Sequence, residues 1–369
     1  MKITCQKSDL LNSVNIVLKA VPGKTTMPIL ECIIIDAMDG EIKLISNDME
    51  MGIETIVKGE IAAEGDIAIN ARIFSDIVRK LPDSEIEMVT DDNYVLTISC
   101  DNSVFSIAGK ASDEFPSLPE FEKNDALVMS QYTLRELVRQ TVFSISDNES
   151  NKIMTGELFE IKNNNLRVVA LDGHRIAIRK VELKQAFNDK KVIIPGKALN
   201  EISKILSGDA DKEIKIYFTN MHALFEFDDT IVLSRLIDGE YFKVDQMIKN
   251  DYEIKVVINK KQFLDSIDRA TLLIKETERK PIIINVNGDV VEINVSTGLG
   301  KMDCKIDVIK EGKDITIGFN PKYIMDVLKV VDDEEIFLFM TNSKSPCFIR
   351  NLEETYNYLV LPVTINTGA

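Results

Sequence analysis

Apolar residues along this chain alternate between two rhythms, and the alternation itself repeats. Residues 66–81 (DIAINARIFSDIVRKL) read as a short strand leading into an amphipathic helix. Residues 191–206 (KVIIPGKALNEISKIL) read the same way, and so does the segment from 311 through 331 that ends DITIGFNPKYIMDVLKVV. Asp76, Glu201 and Asp326 lie at intervals of 125 residues, as do Phe74, Leu199 and Ile324, then Ile77, Ile202 and Val327, and Leu81, Leu206 and Val331. A second strand pattern follows each helix, at 85–89, 213–218 and 335–340.

The first half of each segment agrees. Gly40, Asn164 and Gly288 fall 124 apart as expected turn residues, each opening a strand (EIKLIS, NLRVVA, DVVEINV). Upstream, helical spacing appears at Leu10, Val14 and Val17, at Leu134 and Val138, and at Phe263, Ile267 and Ala270. The unit is therefore a helix with several strands, used twice per repeat and six times per chain. Phe115-Pro116-Ser117-Leu118-Pro119 opens a linker at 116–125, and Lys249, Asn250 and Asp251 interrupt the pattern within 245–253. The expected division is 1–120, 126–247 and 252–369. Hairpin signals at Asp92-Asn93 and Asp172-Gly173 favour antiparallel strands, so the expected class is α+β in three tandem copies.

A length of 369 residues accommodates that organisation. No run of 18 apolar residues exists, and Met1 to Lys7 has no apolar stretch behind it, which speaks against a membrane span or secretory leader. Cys5, Cys32, Cys100, Cys304 and Cys347 are scattered and odd in number, most of them in strand-like text, as buried thiols of a cytoplasmic protein would be.

The net charge of −16 argues at first against a nucleic-acid partner. What decides binding is where the charges lie. Arg72, Lys197 and Lys322 are equivalent by the 125-residue rule, and so are Arg79, Lys204 and Lys329. Seven residues apart on a helix, the two basic positions point within ~20° of each other, and the apolar positions centre ~190° from the first. Each repeat thus carries a basic stripe opposite its buried stripe. Asp76, Glu201 and Asp326, three residues before the second basic position, suit ion pairs on an ordinary solvated face. Recurrence at both positions in all three repeats favours a function. Lys19, Arg135, Arg139 and Arg269 do not align in this way.

Helices pack ~8–10 Å apart, so six in a circle would leave under ~10 Å free. Duplex DNA needs a bore of at least ~16 Å, and twelve helices give a lumen of ~28 Å. Two chains are required, and a head-to-tail homodimer would also pair open sheet edges. Such a ring would hold DNA topologically, without reading bases.

The motifs that tie this pattern to a known family run along the whole chain. They are Thr26-Met27-Pro28-Ile29-Leu30, Asp48-Met49-Glu50-Met51, Ala170-Leu171-Asp172-Gly173-His174-Arg175-Ile176-Ala177, Ile317-Gly318-Phe319-Asn320 and Tyr358-Leu359-Val360-Leu361-Pro362-Val363. The chain resembles the bacterial DNA polymerase III beta subunit, the sliding clamp. The resemblance implies a homodimeric ring on double-stranded DNA that tethers the replicative DNA polymerase and is opened by a clamp loader. It also implies a pocket that binds short motifs of other polymerases and repair proteins. By position that pocket resembles Met154, Leu171, Gly173, His174, Arg175, Ile176, Phe242, Gln246, Met247, Leu361, Pro362 and Val363. Lys24 resembles a DNA-contacting position, and the dimer contact resembles Phe105 and Ile107 on an edge strand meeting Leu272 and Leu273 at a helix end. Two departures bear on ligand preference. Tyr241-Phe242-Lys243-Val244 stands where relatives often carry a Phe-Pro-Asp-Tyr-like segment, and Thr364 where a basic residue often follows.

Two other classes compete with a clamp. An enzyme finds little support: His174 and His222 have no ligand partner at metal spacing, and no phosphate loop, G-x-S-x-G or dinucleotide fingerprint is present. No catalytic residue, metal or cofactor is expected. A repeat scaffold that binds only proteins is the other alternative; retention on circular against linear DNA separates it from a clamp.

Overall fold

The computed structural model describes residues 1–119, 121–248, 251–275 and 280–365. Of the expected interdomain positions, Glu120, Lys249 and Asn250 lie outside the described residues, as do 366–369 at the end of the third expected domain. Among the described residues six α-helices fall where the spacing places them: α1 Lys7–Val17, α2 Ala71–Lys80, α3 Gln131–Arg139, α4 Gly196–Ile205, α5 Lys260–Thr271 and α6 Pro321–Val330. Several start by the same device. Asn70 and Asn259 each end a strand and Asn320 directly follows one, and each accepts, through the side chain, a backbone N–H of the first helical turn. Pro321 adds a φ preset for a helix start.

The chain forms two compact units, 1–133 with 201–236 and 134–200 with 237–369. In the first, a five-stranded sheet orders Gly59–Ala63, Lys2–Gln6, Glu85–Thr90, Val95–Cys100 and Ser103–Ala108. An eight-stranded sheet orders Leu127–Ser130, Glu213–Phe218, His222–Phe227, Thr230–Arg235, Met51–Val57, Glu41–Asn47, Cys32–Met38 and Gly65–Asn70. Helices α1 and α2 pack together, with Leu10, Val14, Val17, Phe74 and Val78 fully buried.

In the second unit a seven-stranded sheet orders Gly156–Leu171, Arg175–Pro195, Tyr356–Val360, Cys347–Arg350, Glu335–Met340, Ile254–Asn259 and Ile309–Gly312. A four-stranded sheet orders Gly300–Asp307, Val290–Thr297, Ile282–Asn287 and Ile315–Phe319. Helices α5 and α6 pack together over Phe263, Ile267, Ile324 and Val327. All these pairings are antiparallel, as the hairpin signals require.

The compact units cut across the repeats because sheets continue from one repeat into the next. Met51–Val57 pairs with Thr230–Arg235, and 125 residues on, Arg175–Arg179 pairs with Tyr356–Val360. The register is conserved by the same interval, since Thr55 faces Thr230 and Lys180 lies next to the pair Arg179 and Tyr356. Two strands equivalent to these partners, Ser103–Ala108 and Gly300–Asp307, each lie at a sheet edge. One turn departs from expectation. Gly40 and Gly288 take left-handed φ of 79° and 55°, but in the middle repeat it is Asn163, at 54°, and not Asn164. Strand Gly156–Leu171 slips register there, with 156–161 facing 190–195 and 165–171 facing 176–182. Asparagine tolerates that conformation, and the slip keeps the ladder intact instead of starting a new strand.

Candidate functional site

The basic residues singled out by spacing are all exposed: Arg72 and Arg79 on α2, Lys197 and Lys204 on α4, Lys322 and Lys329 on α6. Lys24 is exposed in the loop after α1. On the opposite helix faces Phe74, Val78, Leu199, Ile202, Ile324 and Val327 are buried. The expected ion pairs form in two repeats of three. Asp76 lies 3.5 Å from Arg79, and Glu201 lies 2.6 Å from Lys204 while also reaching Lys19 at 3.8 Å. Asp326 instead turns to Arg175, 2.6 Å away, so Lys329 has no acid partner among the described residues. Of the cations that do not align, Arg139 bridges Glu136 and Asp332, and Arg269 donates to Ser266.

The residues expected at a dimer contact sit on open features of the fold. Phe105 and Ile107 lie on the edge strand Ser103–Ala108, where Phe105 is 40% exposed and neighbouring Val104, which spacing did not single out, is 66% exposed. Leu272, just past α5, is 79% exposed, while Leu273 packs partly against the core.

A cavity of about 560 Å³ opens in the second unit. Its floor is an apolar row that runs across strands in register: Leu171 faces Ile176, Ile176 faces Leu359, and Leu359 faces Phe348. One rim is the hairpin at Asp172-Gly173. The Asp172 carboxylate accepts the backbone N–H groups of His174 and Arg175 at 2.9 and 3.1 Å, and Gly173 adopts φ 88°. The first repeat makes the same turn, with Asp48 accepting from Glu50 and Met51 and Met49 at φ 74°.

Arg175 fixes the rim. It is 7% exposed, pairs with Asp172 at 2.9 Å and Asp326 at 2.6 Å, and donates to the Phe143 carbonyl. Its guanidinium lies 4.6 Å from the centre of the Tyr323 ring, against which His174 also sits. Behind the opposite wall Tyr241 is buried and donates to the Val169 carbonyl, while Phe242, set edge-on to it, faces the cavity. Burial pushes the Tyr241 hydroxyl above its ordinary range, and the nearby Glu157 carboxyl adds to this. Glu157 is itself driven well above the carboxylate range by burial, against the hydrogen bond it accepts from Thr141.

Ten of the twelve residues expected at a pocket line this cavity; Pro362 and Val363 do not. The Leu361 N–H is bonded to the His174 carbonyl, and Val363 then crosses to bond Gly318, so the chain leaves the cavity after Leu361. Asp251, Thr341, Ser345, Pro346, Phe348 and Leu359 line it unannounced by spacing. Phe348 and Leu359 were legible only through strand register, and the other four come from loops. Among the described residues no group of three His, Cys, Asp or Glu side chains could hold a metal ion. Burial raises the Cys5 and Cys347 thiols to about 12 and makes them poor nucleophiles.

Family profiles cover the chain in three blocks: the DNA polymerase III beta subunit N-terminal domain at 1–119, the central domain at 128–243 and the C-terminal domain at 245–364. The beta sliding clamp of Staphylococcus epidermidis is 33% identical, and that of Staphylococcus aureus 34%, each over 98% of this chain and 99% of the relative. A putative DNA polymerase III beta subunit from Eubacterium rectale superposes with a TM-score of 0.97 at 56% identity over the whole of both chains. The DNA polymerase sliding clamp of Bacillus subtilis gives 0.95 at 36% identity over 99% of both chains. The α+β reading in three tandem clamp domains is borne out. The chain belongs to the DNA polymerase III beta subunit family, the non-catalytic sliding clamps that act as processivity factors in DNA replication.

Proposed function

We propose that two copies of this chain close into a ring around duplex DNA and tether the replicative polymerase there, in the cytoplasm. Within each copy the repeats divide near 1–120, 126–247 and 252–369. The observation that carries the reading is the recurrence of exposed basic positions, Arg72, Arg79, Lys197, Lys204, Lys322 and Lys329, opposite buried helix faces in a chain of net −16. Lys24 joins them as a phosphate contact. Closure follows the junction already used twice within the chain. Edge strand Ser103–Ala108, with Phe105 and Ile107, meets edge strand Gly300–Asp307 of a second copy beside its Leu272 and Leu273. That arrangement removes both open edges. The cavity at Arg175 receives apolar segments of polymerases, the clamp loader and repair proteins, its Met154, Met247 and aliphatic lining adapting to different occupants.

The test is topological. Loaded by its clamp loader on a nicked circular plasmid, the protein should co-elute with DNA in gel filtration, and one restriction cut should release it. Equal retention on circular and linear DNA would refute the ring and favour a scaffold that binds proteins alone.

A further inference from the structure

The cavity's charge points to what its occupant carries. With histidine counted neutral, the charged side chains on its lining are Arg175 and Asp251. Arg175 offers a ligand little, because it is 7% exposed and already paired with Asp172 and Asp326. Asp251 is the opposite case. It is exposed, and its carboxylate has neither ion pair nor hydrogen bond among the described residues; only its backbone carbonyl is engaged, by the Thr341 hydroxyl at 3.4 Å.

The other cations on this side face elsewhere. The Arg350 guanidinium is buried over the Phe339 ring, 4.6 Å from its centre, and Lys344, beside Ser345, is not on the lining. Tyr252, set edge-on to Phe339 at 4.8 Å, anchors the segment that presents Asp251. An apolar socket whose rim carries one carboxylate uncompensated among the described residues favours a ligand that brings a cation beside its apolar anchors, and disfavours one that brings a second carboxylate there.

We propose that Asp251 is a specificity-determining residue of the cavity, selecting partner segments that place a lysine or arginine next to their apolar anchors on the Thr341 and Ser345 side. This rests on the reading of the cavity as a peptide site. A charge pair at a solvated rim shifts affinity by about two- to fivefold, and the shift shrinks as salt screens it.

The experiment uses fluorescence anisotropy with the full-length protein and synthetic peptides that carry two leucines and a phenylalanine as anchors. The anchors are flanked on one side or the other by lysine, glutamate or alanine. At low salt one lysine peptide should bind about threefold tighter than its glutamate counterpart. Asp251→Asn should erase that preference, bringing the lysine and glutamate peptides to the same affinity. A preference that is missing, or that survives Asp251→Asn, overturns the assignment while the peptide site stands. If the alanine peptide fails to bind, or binds equally well after Phe242→Ala and Leu361→Ala, the cavity reading falls and this inference falls with it.

Discussion

Helices α2 and α6 are built from the same pattern, yet the acid at the same position does different work in each. On α2, Asp76 reaches along its own helix to Arg79, both side chains more than half exposed. On α6, Asp326 reaches off the helix to Arg175, buried at the cavity rim. The cause is one residue in the preceding repeat. In the matching turn of the first repeat, where Asp48 stands for Asp172, Met51 takes the place of Arg175, so Glu201 on α4 meets no such arginine and pairs with Lys204 and Lys19. A repeat can keep its fold while a single substitution redirects an equivalent carboxylate from surface charge balance to holding a binding site.

The largest expected effect breaks that difference directly. Asp326→Asn leaves a buried guanidinium half-paired and should cost roughly 3 kcal/mol, read from the denaturant midpoint of the affected unit. Asp76→Asn removes an exposed pair and should stay within about 0.5 kcal/mol. Equal costs at the two positions would mean that pairing with Arg175 gives Asp326 no more weight than a surface ion pair has.

Arg175 gives a second, smaller contrast. Lysine keeps the charge but cannot hold Asp172, Asp326 and the Phe143 carbonyl together while stacking on Tyr323. Arg175→Lys should weaken anchor-peptide binding about tenfold while leaving DNA retention unchanged. Peptide affinity that does not move would reduce Arg175 to a fold-stabilising role.

The helices, the strands that follow them and the basic stripe were legible because each is local: period, cap and charge all lie within one segment of ten or so residues. The cavity was legible only in part. Its hairpin rim is a local motif, whereas Phe348 and Leu359 reach the floor through strand register, and Asp251, Thr341 and Ser345 arrive on loops. Pro362 and Val363 were expected in the wall from the family resemblance, but the backbone bond from Val363 to Gly318 draws the chain away. The partner of Asp326 lies 151 residues distant, on another repeat, beyond the reach of any helix-periodicity argument.

The smallest effect concerns what the diverted acid leaves behind. To meet a phosphate, Arg79 must exchange its contact with Asp76, while Lys329 has no acid partner to leave among the described residues. A solvated pair holds its cation by about 0.2–1 kcal/mol, so Lys329 should be the better phosphate ligand by a factor of about two to three. Lys329→Gln should therefore weaken binding to a short duplex more than Arg79→Gln does, each lowering the slope of log affinity against log salt by about 0.9 if the contact is fully made. Asp76→Asn supplies the converse: freeing Arg79 should bring it level with Lys329 and strengthen binding. If Asp76→Asn leaves DNA affinity untouched and the two cation variants behave alike, the ion pair on α2 has no bearing on the duplex, and the divergence between the helices matters only to the cavity.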